Sequence, residues 1–569
     1  MIIDIMKTFL IQYGMFGDKL ITDDYVLSDG TYILVNDDGE IKYENILEIN
    51  KKNYDQINSK KFVEMDYLSK LLTMNKSIDK TKTIHSNNYY SFWIKKNNIK
   101  DKLNEEIIDG YFDNLLYPKK TELYDSVENE IGKPDEVKIE KHKSWLKENI
   151  FSIVKKYNIK DDKNYLKIFF QSSIDDYEKE SKRYNLPNIY NSTDYNIRIN
   201  DVIFGMPNNN IGLNSKKPFL SNKSRKVNTP YLVSQDEVLL QKKLFDYLLN
   251  FLNNEKTNIY ISNEKFIHVG NTELLNENFS GYFLKLRKGM EVEIHDFDNI
   301  SFYSPKLNGF KVEQIIPVDS IVHDFKKENL VYSGVNKLEQ LQGYINTLFF
   351  NKFLTGNYFT EVKDIRLNNS TMKEELIKSR TAYFNWFYKG NENSIRPLFE
   401  RSTLKIMKNT LSNGYYFKSL EQFNLREAVL EYFGGDRKMA ERLDVVYKSL
   451  REKAKNKEMS LIVNDDEYYF AIGQVVYFLL SKNKSASKKQ SLINPIINCS
   501  NNDNLMKKIN GLYKKYNYDI DFSSLKFNNL YNMIIMYMPE NKEVNDDVLL
   551  AGFLCKNIIY EKSEKEGGK

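Results

Sequence analysis

Short runs of hydrophobic residues separated by polar turns dominate the first half of the chain, and this pattern predicts short strands. A strand, a turn and a second strand are predicted at 31–36 and 41–43, joined across Asp37, Asp38 and Gly39. Further strands are predicted at 165–170, 258–261, 281–286, 290–294 and 310–316. This half of the chain is therefore expected to form a mixed α/β region with short-stranded sheets.

Helical spacing of apolar residues occurs in the same region. Amphipathic helices are predicted at the N-terminus and at 145–157. The clearest helical pattern is at 237–253, where Leu240, Leu244 and Leu248 recur on one face. Ser234 and Glu237 have the spacing of a capping box at the start of this helix.

The pattern changes near residue 335, after which long amphipathic segments replace the strand signals. Helices are predicted at 335–354, 371–388, 396–411, 417–433, 438–456, 466–482, 503–516, 526–537 and 544–560. The fold class is therefore predicted to be α+β, with an all-α helical bundle in the C-terminal region. We predict three domains, which are a mixed α/β domain at 1–332, a helical connecting region at 333–438 and a C-terminal helical bundle at 439–569.

Composition excludes several classes of protein. Cys499 and Cys555 are the only cysteines among 569 residues, which rules out a disulfide framework and a four-cysteine zinc site. The apolar N-terminal stretch contains Asp4 and Lys7 and lacks the layout of a signal peptide. The sequence also lacks an uncharged apolar run long enough to span a membrane. We expect a cytoplasmic protein with no metal, no cofactor and no membrane partner.

The net formal charge is only +5, but it is concentrated in one place. Residues 202–235, called the basic segment below, contain no Asp or Glu and carry a local charge of +5, so the rest of the chain sums to zero. Positive charge of this density is the electrostatic signature of a site for a polyanion.

Other side chains of the basic segment suit nucleic-acid contacts. Asparagine amides both donate and accept, so they can read base edges or bond to sugar and phosphate. Aromatic rings can stack on an unpaired base or wedge a base step. We expect the cations to supply affinity and the run 208–210 to supply specificity; the alternative is an ordinary solvated loop. The predicted contact residues are Asn208, Asn209, Asn210, Asn214, Lys216, Lys217, Phe219, Asn222, Lys223, Arg225 and Lys226.

Candidate catalytic groups are few. His-Asp pairs at 295–296 and 323–324 have the residue types of HD-type phosphohydrolases, which hold a metal with such a pair on a helix. Here residues 290–294 alternate like a strand, and the chain has only five histidines. The run 134–138 has the residue types of a nuclease motif without its spacing. The sequence therefore predicts a protein that is not an enzyme, with a metal-dependent HD-type nuclease as the alternative.

Two segments resemble a known family, the large subunits of type I-B CRISPR effector complexes (the Cas-eight-b family). The family's central motif is similar to Met206-Pro207-Asn208-Asn209-Asn210, then Gly212-Leu213-Asn214-x-Lys216-Lys217-Pro218-x-Leu220-x-x-Lys223-x-Arg225-Lys226. Its C-terminal helical region resembles Phe470-Ala471-Ile472-Gly473-Gln474, followed by Tyr477-Phe478-Leu479-Leu480-Ser481-Lys482. Some members carry a cysteine zinc module, which two cysteines cannot provide.

The resemblance implies a non-catalytic subunit of an RNA-guided surveillance complex (Cascade) in antiviral defence. Such a subunit recognises the protospacer-adjacent motif (PAM) on target duplex DNA and helps open the R-loop. The implied partners are the guide crRNA, target double-stranded DNA, a helicase-nuclease recruited in trans, and the backbone, 5′-handle-binding and small Cascade subunits. An RNA-only scaffold subunit, without duplex recognition, is a further alternative.

The resemblance also implies that the C-terminal bundle is similar to the Cascade small subunit, which lines the opened DNA. Basic residues of this region are candidate contacts for the displaced strand, with a solvated helix face as the alternative. They are Lys482, Lys484, Lys488, Lys489, Lys507, Lys508, Lys514 and Lys515. Relatives also make a separate small subunit from an internal start codon, for which Met439 is the first candidate and Met459 the second.

Overall fold

The structure is a computed structural model, and it describes residues 2–50, 60–208, 232–289, 292–317, 330–332, 334–435, 437–483, 490–521 and 523–561. The chain divides into two compact units. The first comprises Met1–Asn271 and Gly281–Asn299, and the second comprises Thr272–Ser280 and Ile300–Lys569. The domain boundaries proposed at 332 and 438 stay predictions. Among the described helices, none has both the length and the apolar character needed to cross a bilayer.

A four-stranded sheet belongs to the core of the first unit. Its strands, in the order β2-β1-β4-β3, are β1 (Gly30–Val35), β2 (Ile46–Ile49), β3 (Ser91–Lys95) and β4 (Tyr165–Phe170). β1 and β4 run parallel, and the other neighbouring strands run antiparallel. Consecutive residues of β1 and β4 are buried, so both faces of the sheet are covered. The strand predicted at 41–43 is wrong, because Tyr43–Asn45 form a 3₁₀ turn that delays the partner strand to β2.

Two smaller sheets follow. The first is antiparallel and contains β5 (Ile197–Ile199), β6 (Val202–Gly205) and β7 (Val233–Ser234) in that order. The second has the order β11-β10-β8-β9 and contains β8 (Lys256–Ile261), β9 (Phe266–Gly270), β10 (Phe279–Lys288) and β11 (Val292–Tyr303). The strands predicted at 258–261 and 281–286 are confirmed. The strand predicted at 290–294 corresponds to β11, which starts at residue 292 within the described residues and is much longer than predicted.

The strand predicted at 310–316 is wrong. Its apolar residues are buried, but they lie in an irregular segment. The Ile316 backbone is satisfied by one side chain, since its N–H donates to Asn424 Oδ1 at 3.0 Å and its carbonyl accepts from Asn424 Nδ2 at 3.1 Å. Phe310 packs against Tyr432, with ring centroids 5.7 Å apart. Burial against helices therefore produced the apolar pattern without a neighbouring strand.

Helices cover the sheets of the first unit. Their apolar faces contribute to one aromatic-rich core that includes Phe9, Phe62, Tyr111 and Phe251. The helices are α1 (Ile2–Phe16), α2 (Lys19–Thr22), α3 (Lys60–Leu68), α4 (Lys96–Asp101), α5 (Glu105–Leu116), α6 (Glu122–Ile131), α7 (Glu136–Lys156), α8 (Ile174–Asn188) and α9 (Gln235–Asn253).

Helices dominate the second unit, as the sequence predicts, and the predicted α+β fold class is confirmed. They are α10 (Leu338–Leu348), α11 (Ser370–Lys389), α12 (Arg396–Ser412), α13 (Tyr416–Tyr432), α14 (Met439–Lys455), α15 (Asp465–Ser481), α16 (Asn494–Ile497), α17 (Asn502–Tyr516), α18 (Leu525–Met536) and α19 (Asp546–Leu554). The predicted bounds agree with most of them. The last helix ends at Leu554 rather than at the predicted residue 560, where Ile558–Tyr560 form a 3₁₀ turn.

Helices α15 and α19 pack with their backbones in close contact at Gly473. A Cβ atom added to Gly473 would lie 2.5 Å from the backbone nitrogen of Phe553 and also overlap the Leu549 carbonyl oxygen. Gln474 follows this contact, and its Nε2 donates to the Gly552 carbonyl at 2.5 Å while its Oε1 accepts from the Ile558 N–H at 2.7 Å. The apolar run beginning at 470 is therefore a close-packing helix contact.

Candidate nucleic-acid interface

The two ends of the basic segment pair with each other in an antiparallel sheet, and this pairing is called the stem below. β6 pairs with β7 so that Phe204 faces Ser234 and Gly205 faces Val233. The chain thus leaves the sheet at Gly205 and returns to the neighbouring position at Val233. Residues 209–231 lie outside the described residues, and all the predicted contact residues except Asn208 fall there. The described structure therefore shows where the chain leaves the sheet and where it re-enters it, and the predicted loop between these points stays a prediction.

Tyr190 contacts both strands of the stem through its hydroxyl group. Its hydroxyl lies 2.8 Å from the Ile203 carbonyl and 2.9 Å from the Val233 carbonyl, so a single O–H group joins β6 to β7. Its ring packs directly on Gly205, where an added Cβ atom would lie 2.6 Å from Tyr190 Cγ and 2.5 Å from Asn196 Oδ1. Glycine is required at 205 because the ring occupies the space that a side chain would fill.

The first residues after β6 continue along the same scaffold. The Met206 carbonyl accepts from the Asn191 N–H at 2.8 Å, and the Asn208 N–H donates to the Ile189 carbonyl at 2.7 Å. Asn208 is only 4% exposed. Its contact with DNA stays a prediction, and that contact would require the side chain to become accessible.

Helix α9 begins directly after strand β7 of the stem, as the sequence predicts. The Ser234 hydroxyl caps the helix by accepting from the Glu237 N–H, so the predicted cap and helix are confirmed. The first turn carries Asp236 and Glu237, which offset the positive end of the helix dipole. The start of α9 therefore adds negative charge beside the stem.

The candidate catalytic residues that the structure describes lie on a strand and at the start of a helix. His295 and Asp296 lie on strand β11, and the pair at 323–324 falls outside the described residues. Asp135 is the N-cap of α7, where its side chain accepts from the Lys138 N–H at 3.1 Å. The run 134–138 is therefore a helix start. In the described parts of the chain, His, Cys, Asp and Glu side chains form no group of three or more that could hold a metal ion.

Four of the candidate lysines of the C-terminal region share the exposed side of helix α17. Lys507, Lys508, Lys514 and Lys515 are all exposed, while the opposite side of the helix buries Leu505 and Ile509 among others. No ion pair links any of these four lysines to a carboxylate of the described residues. Lys482 lies 4.6 Å from the centroid of the Phe478 ring. Lys484, Lys488 and Lys489 fall outside the described residues, and all strand contacts stay predictions.

The position of Met439 bears on the proposed internal start. Met439 is the first residue of α14 and is buried. A product beginning there would lack Arg426, which pairs with Asp547 at 2.9 Å, and also Arg437, which pairs with the same carboxylate. The start at Met439 therefore stays a prediction, with the added expectation that such a product needs another cation beside Asp547. Met459, the second candidate, is exposed just before α15.

Tyr190 is the main residue of this site that the sequence does not reveal. Its two acceptors, Ile203 and Val233, are 13 and 43 residues away along the chain. A local pattern cannot show such a contact. The one available signal is Gly205 at the end of a strand run, since a glycine there indicates that another group approaches closely.

Comparison with known proteins places no further constraint on this site. The chain matches no protein-family model, no curated protein and no solved structure.

Proposed function

We propose that this chain is the non-catalytic large subunit of a type I-B CRISPR RNA-guided surveillance complex. In this role the basic segment recognises the PAM on target duplex DNA and helps open the R-loop, and a separate helicase-nuclease is then recruited to cut. The guide RNA reads the target sequence by base pairing, so the protein itself needs a binding surface and no active site.

The observation that carries the proposal is the placement of the acid-free segment on a closed stem. Five cations and no carboxylate lie between residues 202 and 235. Both ends of the loop are paired through Gly205 and Val233, and Tyr190 bonds to both strands. A loop with closed ends loses less conformational entropy when it binds than a free chain of equal length does. A loop of this kind is suited to binding duplex DNA.

Removing loop charge tests this proposal. We expect the triple variant Lys216→Gln, Lys217→Gln, Arg225→Gln to bind target duplex about 100-fold more weakly at low salt. Each lost phosphate contact should also reduce the slope of log affinity against log salt by about 0.9, so the triple variant should lose about 2 to 3 slope units. Fluorescence anisotropy across a salt series measures both quantities.

A matched control separates direct contacts from a change in net charge. Lys80, Lys133 and Lys160 are exposed lysines of the same unit, and their joint change to Gln removes the same charge outside the basic segment. This control should keep the wild-type salt slope. Equal slopes for the loop variant and the control would refute direct contact by the loop.

Base reading requires a second comparison. If Asn209 and Asn210 touch bases, Asn→Ala changes there should alter the ranking of duplexes that differ only in the PAM, by about 1 to 3 kcal/mol at the base concerned. Equal weakening across all PAM variants would instead assign these asparagines to the phosphate backbone.

A further inference from the structure

The first unit contains a polar cleft beside the stem, separate from the basic segment. It has a volume of about 490 Å³ and is lined by α5, the start of α6, α8 and the segments 75–78 and 191–193. Asn191 links the two features, since it is one of the residues that line the cleft and its backbone N–H donates to the Met206 carbonyl next to the stem. A ligand in the cleft would therefore lie next to the base of the loop.

The charge in the cleft is positive and unbalanced. Among the described residues, its lining includes Lys76, Lys119 and Arg183 and a single carboxylate, Glu180. Glu180 is already neutralised by Arg183, whose Nε lies 2.9 Å from Glu180 Oε2. No ion pair joins Lys76 or Lys119 to a carboxylate of the described residues. Two ammonium groups thus remain without a described counter-ion in one cleft.

The position of Lys76 is unfavourable without an anion. Burial lowers the pKa of Lys76, and the neighbouring Lys119 ammonium lowers it further. Lys76 is half-buried and Lys119 is exposed. Their like charges repel each other, and a bound anion would offset both this repulsion and the burial of Lys76. The Tyr124 hydroxyl is a further polar group of the cleft lining. Tyr124 is 3% exposed and lines the cleft, and its hydroxyl faces the Arg183 guanidinium without forming a hydrogen bond of good geometry.

The lining of the cleft also offers fixed acceptors, on Asn114 and Asn188. Asn114 Nδ2 donates to the Gly110 carbonyl at 2.6 Å, and Asn188 Nδ2 donates to the Tyr184 carbonyl at 2.8 Å. These bonds hold both amides, and neither amide oxygen has a donor among the described residues. A matching ligand would carry both an anionic group for the lysines and N–H or O–H donors for the amide oxygens. Inorganic phosphate lacks the second feature.

We propose that this cleft binds a nucleotide, with its phosphate at Lys76 and Lys119 and its sugar or base at Asn114 and Asn188. The inference rests on the proposed function, since binding of nucleic acid is what brings a nucleotide to this part of the protein. A free 5′-nucleotide and the 5′-phosphorylated end of a strand present the same chemistry, and the experiment distinguishes them.

Titration of the full chain with 5′-AMP, 5′-UMP, the matching nucleosides and inorganic phosphate, followed by calorimetry, tests the assignment. Nucleotides should bind saturably, and nucleosides and phosphate should bind at least about ten-fold more weakly, because each lacks one half of the recognition. Lys76→Gln and Lys119→Gln should each weaken nucleotide binding by about ten-fold. Comparing 5′-phosphorylated with 5′-hydroxyl oligonucleotides then shows whether strand ends use the cleft.

Lys120→Gln is the control. Lys120 directly follows Lys119 in the sequence but is not among the residues that line the cleft, and its side chain is 71% exposed beside Glu128. It should leave nucleotide binding unchanged, and thermal melting should show that all three variants fold. Absence of saturable nucleotide binding, or an equal effect of Lys76→Gln and Lys120→Gln, would overturn the inference whatever the duplex-binding result. Nucleotide binding that is lost in Lys76→Gln while duplex binding proves absent would refute the proposed function and leave the cleft assignment standing.

Discussion

Gly205→Ala provides a direct test of the stem that carries the basic segment. The new methyl carbon would lie 2.5 Å from Asn196 Oδ1 and 2.6 to 2.7 Å from two ring atoms of Tyr190. Ordinary carbon contacts are about 3.5 to 4.0 Å, so roughly 1 Å of overlap must be relieved. The ring has little freedom to move, because its hydroxyl bonds to the Ile203 and Val233 carbonyls.

The cost of the substitution follows from this geometry. Overpacking a close contact costs about 1 to 3 kcal/mol, and loss of the hydroxyl contact adds about 1 kcal/mol. We therefore expect Gly205→Ala to destabilise the first unit by about 2 to 4 kcal/mol. If this loss is local to the stem, duplex affinity should fall by at most the same free energy, which is about 30-fold for 2 kcal/mol and about 700-fold for 4 kcal/mol, since 1.4 kcal/mol corresponds to a factor of ten.

Urea denaturation followed by circular dichroism measures the stability, and fluorescence anisotropy measures duplex binding. Gly110→Ala is the matched control, because Gly110 lies within helix α5 of the same unit and an added Cβ atom has no neighbour within 4 Å. Alanine should stabilise that helix by about 0.5 to 1 kcal/mol. Wild-type stability in Gly205→Ala would refute the close packing. Lower stability with unchanged duplex affinity would refute the stem's role in binding.

Two further predictions concern the two units separately. Burial lowers the pKa of His142 to about 4, so the folded first unit keeps this ring neutral. The unfolded chain takes up the proton near pH 6.5, so the free energy of unfolding should fall by about 2 kcal/mol between pH 7.5 and pH 5. The urea midpoints of His142→Phe should lack this part of the pH dependence. In the second unit, Gly473→Ala should lower the free energy of unfolding by about 3 kcal/mol, because the added Cβ atom meets the backbone of α19. Gly511→Ala on α17 is the control, since no atom lies within 4 Å of the added Cβ atom, and it should stabilise the unit by about 0.5 to 1 kcal/mol. An unchanged pH profile in His142→Phe, or equal urea midpoints for the two glycine variants, would contradict these assignments.

The errors in the predicted strands have a common cause. Periodicity reports which residues are buried, and it does not report what buries them. At 310–316 the covering groups are helices of the second unit and the amide of Asn424, so a strand-like pattern occurs without a strand. Near residue 41 the alternation was interrupted by a 3₁₀ turn that depends on local backbone bonds. The long helices were predicted well because their periodic faces extend over many turns.

The sequence by itself determined the α+β fold class, most of the helix bounds, the cap at Ser234 and the concentration of charge between 202 and 235. These features depend on neighbours within a few residues along the chain. Only the tertiary structure decided that Tyr190 holds the two ends of the loop and that Gly473 lies against α19. It also decided that Lys76 and Lys119 share one cleft. Such contacts join residues that are far apart in sequence, and packing of whole elements is what brings them together.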